Sequence, residues 1–379
     1  MIRALARLHR RNAVWLADIL RPDRNSFGVI RLAMAVAVLI SHSYFFVSGD
    51  STTEPLVWLT GHSLGEHAVQ VFFVLSGILV TESLLRSRGA INFFCGRCLR
   101  IFPGLIVCVA LTALVLGPLV SQRSVAVYFS DPQWAAYVVK TILLVTGAAT
   151  LPGTFGELPA AGLVNMSLWT LKYEVICYLG LGAIGVAGLL RERFRMPATA
   201  ILAVVLCGIY LRAPDQAHAV GLVDHVRYFA LYFGMGTLVC LLKDYIPVVR
   251  WVTLPLLALF LASVGMPWAE LTCAVFLAYA TIVAATFSFG SLRAWCNRHD
   301  VSFGVYIYAA PIQQALLLAF PGFGPLTLSA MALAISALFA RLSWDYIEKP
   351  AMALRPLVSG AFERLFGRTA IAAASVPRA

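Results

Sequence analysis

The feature that most constrains this chain is a series of apolar stretches, each close to the length needed to cross a lipid bilayer. A hydrocarbon core about 30 Å thick takes roughly 20 helical residues. By that ruler ten stretches qualify as spans, near 27–47, 67–85, 99–120, 167–190, 197–212, 226–242, 248–265, 268–288, 301–320 and 323–343. Inside lipid only helices and closed barrels satisfy their backbone groups, and runs of this length predict helices. The expected fold class is therefore all-α, a polytopic transmembrane helical bundle of about ten spans. Residues 134–150 are also apolar but contain Lys140 and are marginal in length, so they read as a partly buried or interfacial outer segment.

Composition closes off the alternatives. Of 379 residues, 60% are hydrophobic and 12% charged, with a mean hydropathy of +0.83. A soluble domain carries roughly 25% charged residues. A water-soluble enzyme, a disordered protein and a nucleic-acid binder are thereby excluded. The net charge of +11 reads instead as the bias of Lys and Arg toward cytoplasmic loops. With the N-terminus inside, the inner loops collect Arg86, Arg88, Arg97 and Arg100, then Arg191, Arg193 and Arg195, then Lys243, Arg250, Arg293 and Arg298. The outer loops hold little beyond Arg123 and Lys140. Both termini are expected in the cytoplasm.

Three regions follow: a basic amphipathic N-terminal segment at 1–25, a membrane domain at 26–345 and a short cytoplasmic tail at 346–379. The first carries Arg3, Arg7, Arg10, Arg11, Arg21 and Arg24 among Leu5, Leu8, Trp15, Leu16 and Ile19, a pattern suited to the inner membrane surface. No removable signal peptide is expected, because the first apolar run is long enough to span and has no cleavage site behind it. The eight cysteines are scattered through apolar runs and read as small hydrophobes rather than a disulfide framework.

An ionisable group inside a span is costly and marks function by default. Arg31 and His42 share the first span, eleven residues apart. Eleven steps of about 100° fall within about 20° of three full turns, so both face one side, about 16 Å apart along the axis. Glu174 opens the fourth span in NMSLWTLKYEV. Counted from Ser167 it lies about 10 Å below the outer surface, the depth reckoned for His42 from the other side. The pair is therefore expected to act as general base and orienting carboxylate. The inner loop SLLRSRGAINFFCGRCLRIFPG offers Arg86, Arg88, Arg97 and Arg100 to a phosphorylated ligand, since guanidinium binds phosphate bidentately. Its Cys95 and Cys98 have no βαβ context that would make them a redox pair. His62, Glu66 and His67 match no standard metal spacing, and no metal is predicted.

These local motifs occur in one order. RLAMAVAVLISH, AVQVFFVLSGILVTESLL, FFCGRCLRIFPGL, NMSLWTLKYEV, FGVYIYAAPIQQ and YIEKP together closely resemble the acyltransferase-3 family of membrane acyltransferases, from about Phe27 to Pro350. The resemblance implies transfer of an acyl group from cytosolic acyl-CoA, acetyl-CoA or succinyl-CoA being the expected co-substrates. The acceptor it implies is a hydroxyl of an extracytoplasmic or lipid-linked glycan, such as O-antigen or exopolysaccharide. By the same resemblance Arg31 and His42 match essential positions, Arg97 and Arg100 the basic inner pair, and Glu174 an acidic position.

The expected mechanism places CoA phosphates on Arg97 and Arg100, with Arg86 and Arg88 nearby, and the pantetheine arm along the first span toward His42. A transient acyl-histidine is its variant. Trp169, Tyr173 and Lys172 are the expected glycan contacts. The location implied is a bacterial inner membrane, with polysaccharide assembly proteins or a second copy as further partners. The competing reading is a multi-pass transporter or flippase of a polysaccharide precursor, since buried Arg, His and Glu also serve transport.

Overall fold

The computed structural model describes residues 14–21, 25–87, 89–145, 150–211 and 221–366. Among them there is no strand, only two isolated bridges, Trp15 with Pro247 and Ser121 with Thr154. The principal helices are α1 (Phe27–Ser48), α2 (Leu64–Leu85), α3 (Ala90–Leu111), α4 (Pro132–Ile142), α5 (Leu171–Val186), α6 (Glu192–Leu211) and α7 (Leu222–Leu241). They are followed by α8 (Thr253–Ser263), α9 (Ala269–Ala285), α10 (Gly290–Arg298), α11 (Ser302–Ala319), α12 (Pro325–Ser343) and α13 (Arg355–Phe366).

Each of the ten apolar stretches falls on a helix, but they are not ten equal spans. Five are long and apolar enough to cross a membrane alone: α1, α2, α3 continued to Val120, α11, and α12 continued to Leu365. A sixth arises if α9 and α10, bent by 104° at their break, count as one. The chain is thus a multi-pass membrane protein. Of the rest, α8 has 11 residues and α5 has 16, while α6 and α7 begin on charged turns containing Glu192 and Asp224. The α12 helix runs on for 41 residues in all, far more than the roughly 20 a bilayer takes, so its end projects beyond the lipid.

Local chemistry sets the helix limits. A capping box opens α2: Ser63 Oγ accepts from Glu66 N at 3.1 Å, and Glu66 Oε2 accepts from Ser63 N at 2.7 Å. Gly49, at φ +73°, ends α1. Within the α3 continuation a π-turn, Thr112–Leu116, breaks the regular ladder. Tyr128 OH and Trp134 Nε1, from the hairpin that includes α4, donate to Ala113 O at 2.9 and 3.1 Å. This segment, expected to be partly buried or interfacial, is thus docked on the bundle by a carbonyl the π-turn makes available.

Helices α2 and α7 pack backbone to backbone. A Cβ on Gly77 would stand 2.1 Å from Phe233 O, and one on Gly236 2.1 Å from Val74 O, so only glycine fits at this crossing. Of the N-terminal segment, the short helix Leu16–Ile19 is described. Leu16 N donates to Ile246 O and Ala17 N to Lys243 O, both at 3.1 Å, and Leu16 and Ile19 are buried. This part docks on the bundle rather than lying apart. The arginines at 3, 7, 10, 11 and 24, with Arg88 and the tail from 367, lie outside the described residues. The end of the bundle that holds the start of α1, the end of α2 and the start of α3 is called below the basic end.

Candidate active site

Four of the expected site residues meet at one cavity of about 120 Å³. Arg31 reaches it from α1, Arg97 and Arg100 from α3, and Glu174 from α5; Ser76, Tyr178, Thr170, Ser302 and Tyr306 complete its polar lining. Along α2 it extends from Val69 to Val80, eleven residues or about 16 Å.

The cations at its basic end differ in how they are neutralised. Asp300 Oδ2 takes both Arg31 Nη1 at 3.0 Å and Arg100 Nη2 at 2.8 Å. Arg100 Nη1 donates to Glu348 Oε2 at 2.7 Å, and Ser343 Oγ donates to Glu348 Oε1 at 2.9 Å. Burial works against the charge on Asp300, yet Arg100 and Arg31 hold its carboxyl below the usual range. Arg100 is therefore committed to two carboxylates. Among the described residues Arg97 makes no ion pair, its Nε is buried without a partner, and its guanidinium lies 5.9 Å from the Tyr178 ring centre. Among the described members of the expected anion grip, Arg97 is the one left free. Arg86 is elsewhere, bonded to Glu82 at 2.6 Å beside Lys243, and does not line the cavity.

The expected pairing of His42 with Glu174 does not occur. Ser76 Oγ donates to Glu174 Oε1 at 2.9 Å, and Tyr178 OH donates to the same oxygen. Gly65 marks the height of His42: a Cβ there would stand 2.8 Å from Ser41 Oγ. Ser76 is eleven residues further along α2, so Glu174 lies about 16 Å nearer the basic end than His42. The reason is the path of the chain before α5. Gln314 Nε2 donates to Ala160 O and Leu163 O at 3.1 and 2.7 Å, and Asn165 Nδ2 donates to Ile307 O at 2.8 Å. From Gln314 to Ile307 is seven residues, about 10 Å of depth, which a non-helical segment descends before any helix begins. Counting from Ser167 as though it lay at the surface therefore places Glu174 too shallow.

His42 stands one turn beyond the cavity, since Val69 is four residues, about 6 Å, below Gly65. Its ring meets Phe46 edge-on at 6.1 Å. Its Nδ1 is buried with no hydrogen-bond partner, and on the facing helix Gln313 Oε1 and Gln314 Oε1 are likewise unpartnered. Gln313 Nε2 fixes that level by donating to Leu39 O and Ser43 Oγ at 2.7 and 2.6 Å. Three buried polar atoms without partners at about one level of the bundle are costly to a fold; for the His42 nitrogen, a polar ligand would offset that cost.

Trp169 and Tyr173 do not line the cavity. Tyr173 stacks on His225 at 5.5 Å, Trp169 meets His225 edge-on at 5.1 Å, and both pack on Phe229. Lys172 Nζ covers the Tyr173 ring at 4.8 Å. Sequence reasoning passed over Asp300, Glu348, Gln313 and Gln314. The signals were present: the last three lie inside quoted motifs, and Asp300 stands directly before VSFGVYIY.

At the opposite end His62 Nε2 bonds Glu270 Oε1 at 2.5 Å, and Glu66 Oε2 is 3.7 Å from Nδ1. Tyr232 OH donates to Glu270 Oε2 at 2.5 Å. Burial disfavours the imidazolium, but Glu270 and Glu66 outweigh it and hold His62 up at about 10. Among the described residues no group of three or more His, Cys, Asp or Glu is placed to hold a metal. A histidine whose pKa rises on folding stabilises fully below its unfolded value of about 6.5 and ceases to do so as pH climbs through the folded value. Thermal stability is expected to fall between about pH 6.5 and about 10, and His62→Gln is expected to remove that part of the slope; a wild-type slope retained by the variant would contradict the pairing.

The sequence matches the family model of the acyltransferase-3 acyltransferase domain over residues 24–344. It is 34% identical over 334 residues to a protein named O-acetyl transferase from Shigella phage Sf6, covering 86% of this chain and 95% of that one. It is 27% identical over 359 residues to Nodulation protein 10 of Rhizobium leguminosarum bv. viciae, covering 88% and 94%. No solved structure matches the chain.

Proposed function

The chain belongs to the acyltransferase-3 family of membrane acyltransferases, and on that premise we propose that it moves an acetyl or succinyl group from cytosolic acyl-CoA to a hydroxyl of an extracytoplasmic or lipid-linked glycan. The observation that carries this reading is the slot from Arg97 to within a turn of His42. One end offers a guanidinium with no carboxylate partner, suited to phosphate. The other approaches an imidazole whose Nδ1 lacks a partner. A slender pantetheine arm suits such a slot, with the nucleotide left at the basic end. Facing that end to the cytoplasm of a bacterial inner membrane accords with its charge and with where acyl-CoA is made.

The chemistry then divides along the slot. Arg97 holds the donor, and Arg31, fixed by Asp300, lines its path. At the far end the acceptor oxygen forms its bond to the thioester carbonyl carbon as the carbon–sulfur bond breaks. His42 takes the hydroxyl proton and returns it to the departing thiolate, giving ester and free CoA. With Glu174 about 16 Å away, the imidazole is oriented by packing on Phe46 and by the substrates themselves. Glu174, bonded to Ser76 and Tyr178, instead shapes the wall of the donor slot. The name of the phage relative, O-acetyl transferase, favours acetyl as the first donor to try.

The test is CoA release by the purified protein in nanodiscs, from acetyl-CoA and from succinyl-CoA, with and without a crude glycan acceptor. Acceptor-stimulated release with one donor is the expected result. Absence of release with both donors, while the acceptor binds, would return weight to transport of a polysaccharide precursor.

A further inference from the structure

The start of α13 carries an arginine that the mechanism above does not use. Arg355 Nε donates to Asn92 O at 3.2 Å and Nη2 to Asn92 Oδ1 at 2.6 Å. Asn92 Nδ2 in turn donates to Ser359 Oγ at 3.4 Å, one turn along α13. Gly96 leaves the space for this approach, since a Cβ there would stand 2.8 Å from Arg355 Cζ. The guanidinium is thus laid across α3 immediately beside Arg97, and every group that holds it is neutral.

The arginines of this corner differ in how they are neutralised. Arg31, Arg86 and Arg100 each have a carboxylate partner. Among the described residues neither Arg97 nor Arg355 makes an ion pair, and the charge of Arg97 acts against that of Arg355. Two neighbouring cations, one of them held only by neutral hydrogen bonds, repel each other until an anion bridges them. Arg97 makes no hydrogen bond through its terminal nitrogens, and Arg355 none through Nη1, among the described residues. A phosphate, with several acceptor oxygens, can take both forks at once.

We infer that Arg97 and Arg355 together bind one phosphate group of the donor nucleotide, so that α13 forms one wall of the donor's entrance. The inference rests on the reading of the donor as an acyl-CoA. It replaces Arg100, whose charge Asp300 and Glu348 already absorb, with Arg355 as the partner of Arg97. The same chemistry would accept the phosphate of a lipid headgroup, and the test separates the two.

Full-length protein in phosphatidylcholine nanodiscs is titrated with CoA and with pantetheine, which has the arm but no phosphate. The titrations are repeated with phosphatidylglycerol added to the lipid. Arg355→Gln is expected to weaken CoA about tenfold, the loss of one charge-assisted contact, and to leave pantetheine unchanged. Arg355→Lys is expected to recover part of the CoA affinity. Equal CoA affinity in wild type and Arg355→Gln would overturn the inference while leaving the donor assignment intact. It would fall also if the variant kept its CoA affinity but lost competition by phosphatidylglycerol, which would make the phosphate a lipid's. Equal weakening of CoA and pantetheine would reduce Arg355 to a structural clamp. A wild-type protein that binds no CoA would instead sink the donor assignment itself.

Discussion

Replacing His42 with alanine is expected to lower acyl transfer by about 10²- to 10⁴-fold, the usual contribution of a positioned general base. Two features of the structure sharpen that expectation. His42 lies about one turn, 6 Å, beyond the outer end of the donor cavity, so the variant should bind donor about as well as the wild type. The loss should therefore appear in kcat, with KM for acyl-CoA nearly constant. The second feature is that among the described residues no carboxylate pairs with the imidazole, Glu174 being bonded to Ser76 and Tyr178. Glu174→Gln is accordingly expected to alter donor affinity more than the protonation behaviour of His42. The measurement is initial rate against donor concentration for wild type and His42→Ala at matched membrane expression. Near-normal turnover by the alanine protein would remove His42 from the chemistry. A kcat loss that the glutamine variant of Glu174 reproduces, with unchanged donor affinity, would restore the paired mechanism.

Much of this was legible in the chain because its signals are local. Each of the ten apolar runs lies on a helix, and the eleven-residue spacing of Arg31 and His42 puts both on one face of α1 without reference to any other element. Arg31 and Glu174 stand out as charges inside lipid, Arg97 and Arg100 as inner-loop guanidinium groups suited to phosphate, and the cavity brings all four together. What stayed hidden depends on contacts between distant segments. The descent of residues before α5 is held by side chains of α11, Gln314 and the backbone at Ile307, and no local pattern announces it. Without it the depth of Glu174 comes out wrong by most of a leaflet. Arg97 and Arg100 look alike in FFCGRCLRIFPG; only the arrival of Asp300 and Glu348, about 200 residues or more downstream in sequence, makes one a structural ion and leaves the other free.

That distinction makes Asp300 the position where a single change should harm stability most. One of its oxygens accepts from both Arg31 and Arg100, and the other accepts from Ser302 Oγ at 2.8 Å. It is 15% exposed, and Arg100 18%, so water can replace little of what is lost. Removing one partner of a buried charge network typically costs about 3–5 kcal/mol, because the remaining charges are left uncompensated. Asp300→Ala is therefore expected to lower the thermal unfolding midpoint by many degrees and to reduce the yield of folded protein. Asp300→Asn, which keeps the shape and an acceptor oxygen, should fall between the alanine variant and wild type. The network also predicts how the loss depends on its neighbours. With Arg31→Met already in place one cation is gone, so adding Asp300→Ala should cost clearly less than it does alone. The pH dependence has a definite sign. The carboxyl of Asp300 is held below its ordinary value, so its contribution is present in full above about pH 4 and disappears as pH falls through the lower, folded value. The difference in midpoint between wild type and Asp300→Asn should accordingly narrow on acidification below about pH 4. A difference that stays constant into acid, or an alanine variant as stable as wild type, would mean that Arg31 and Arg100 are neutralised by some other group and that Asp300 does not organise the donor end of the cavity.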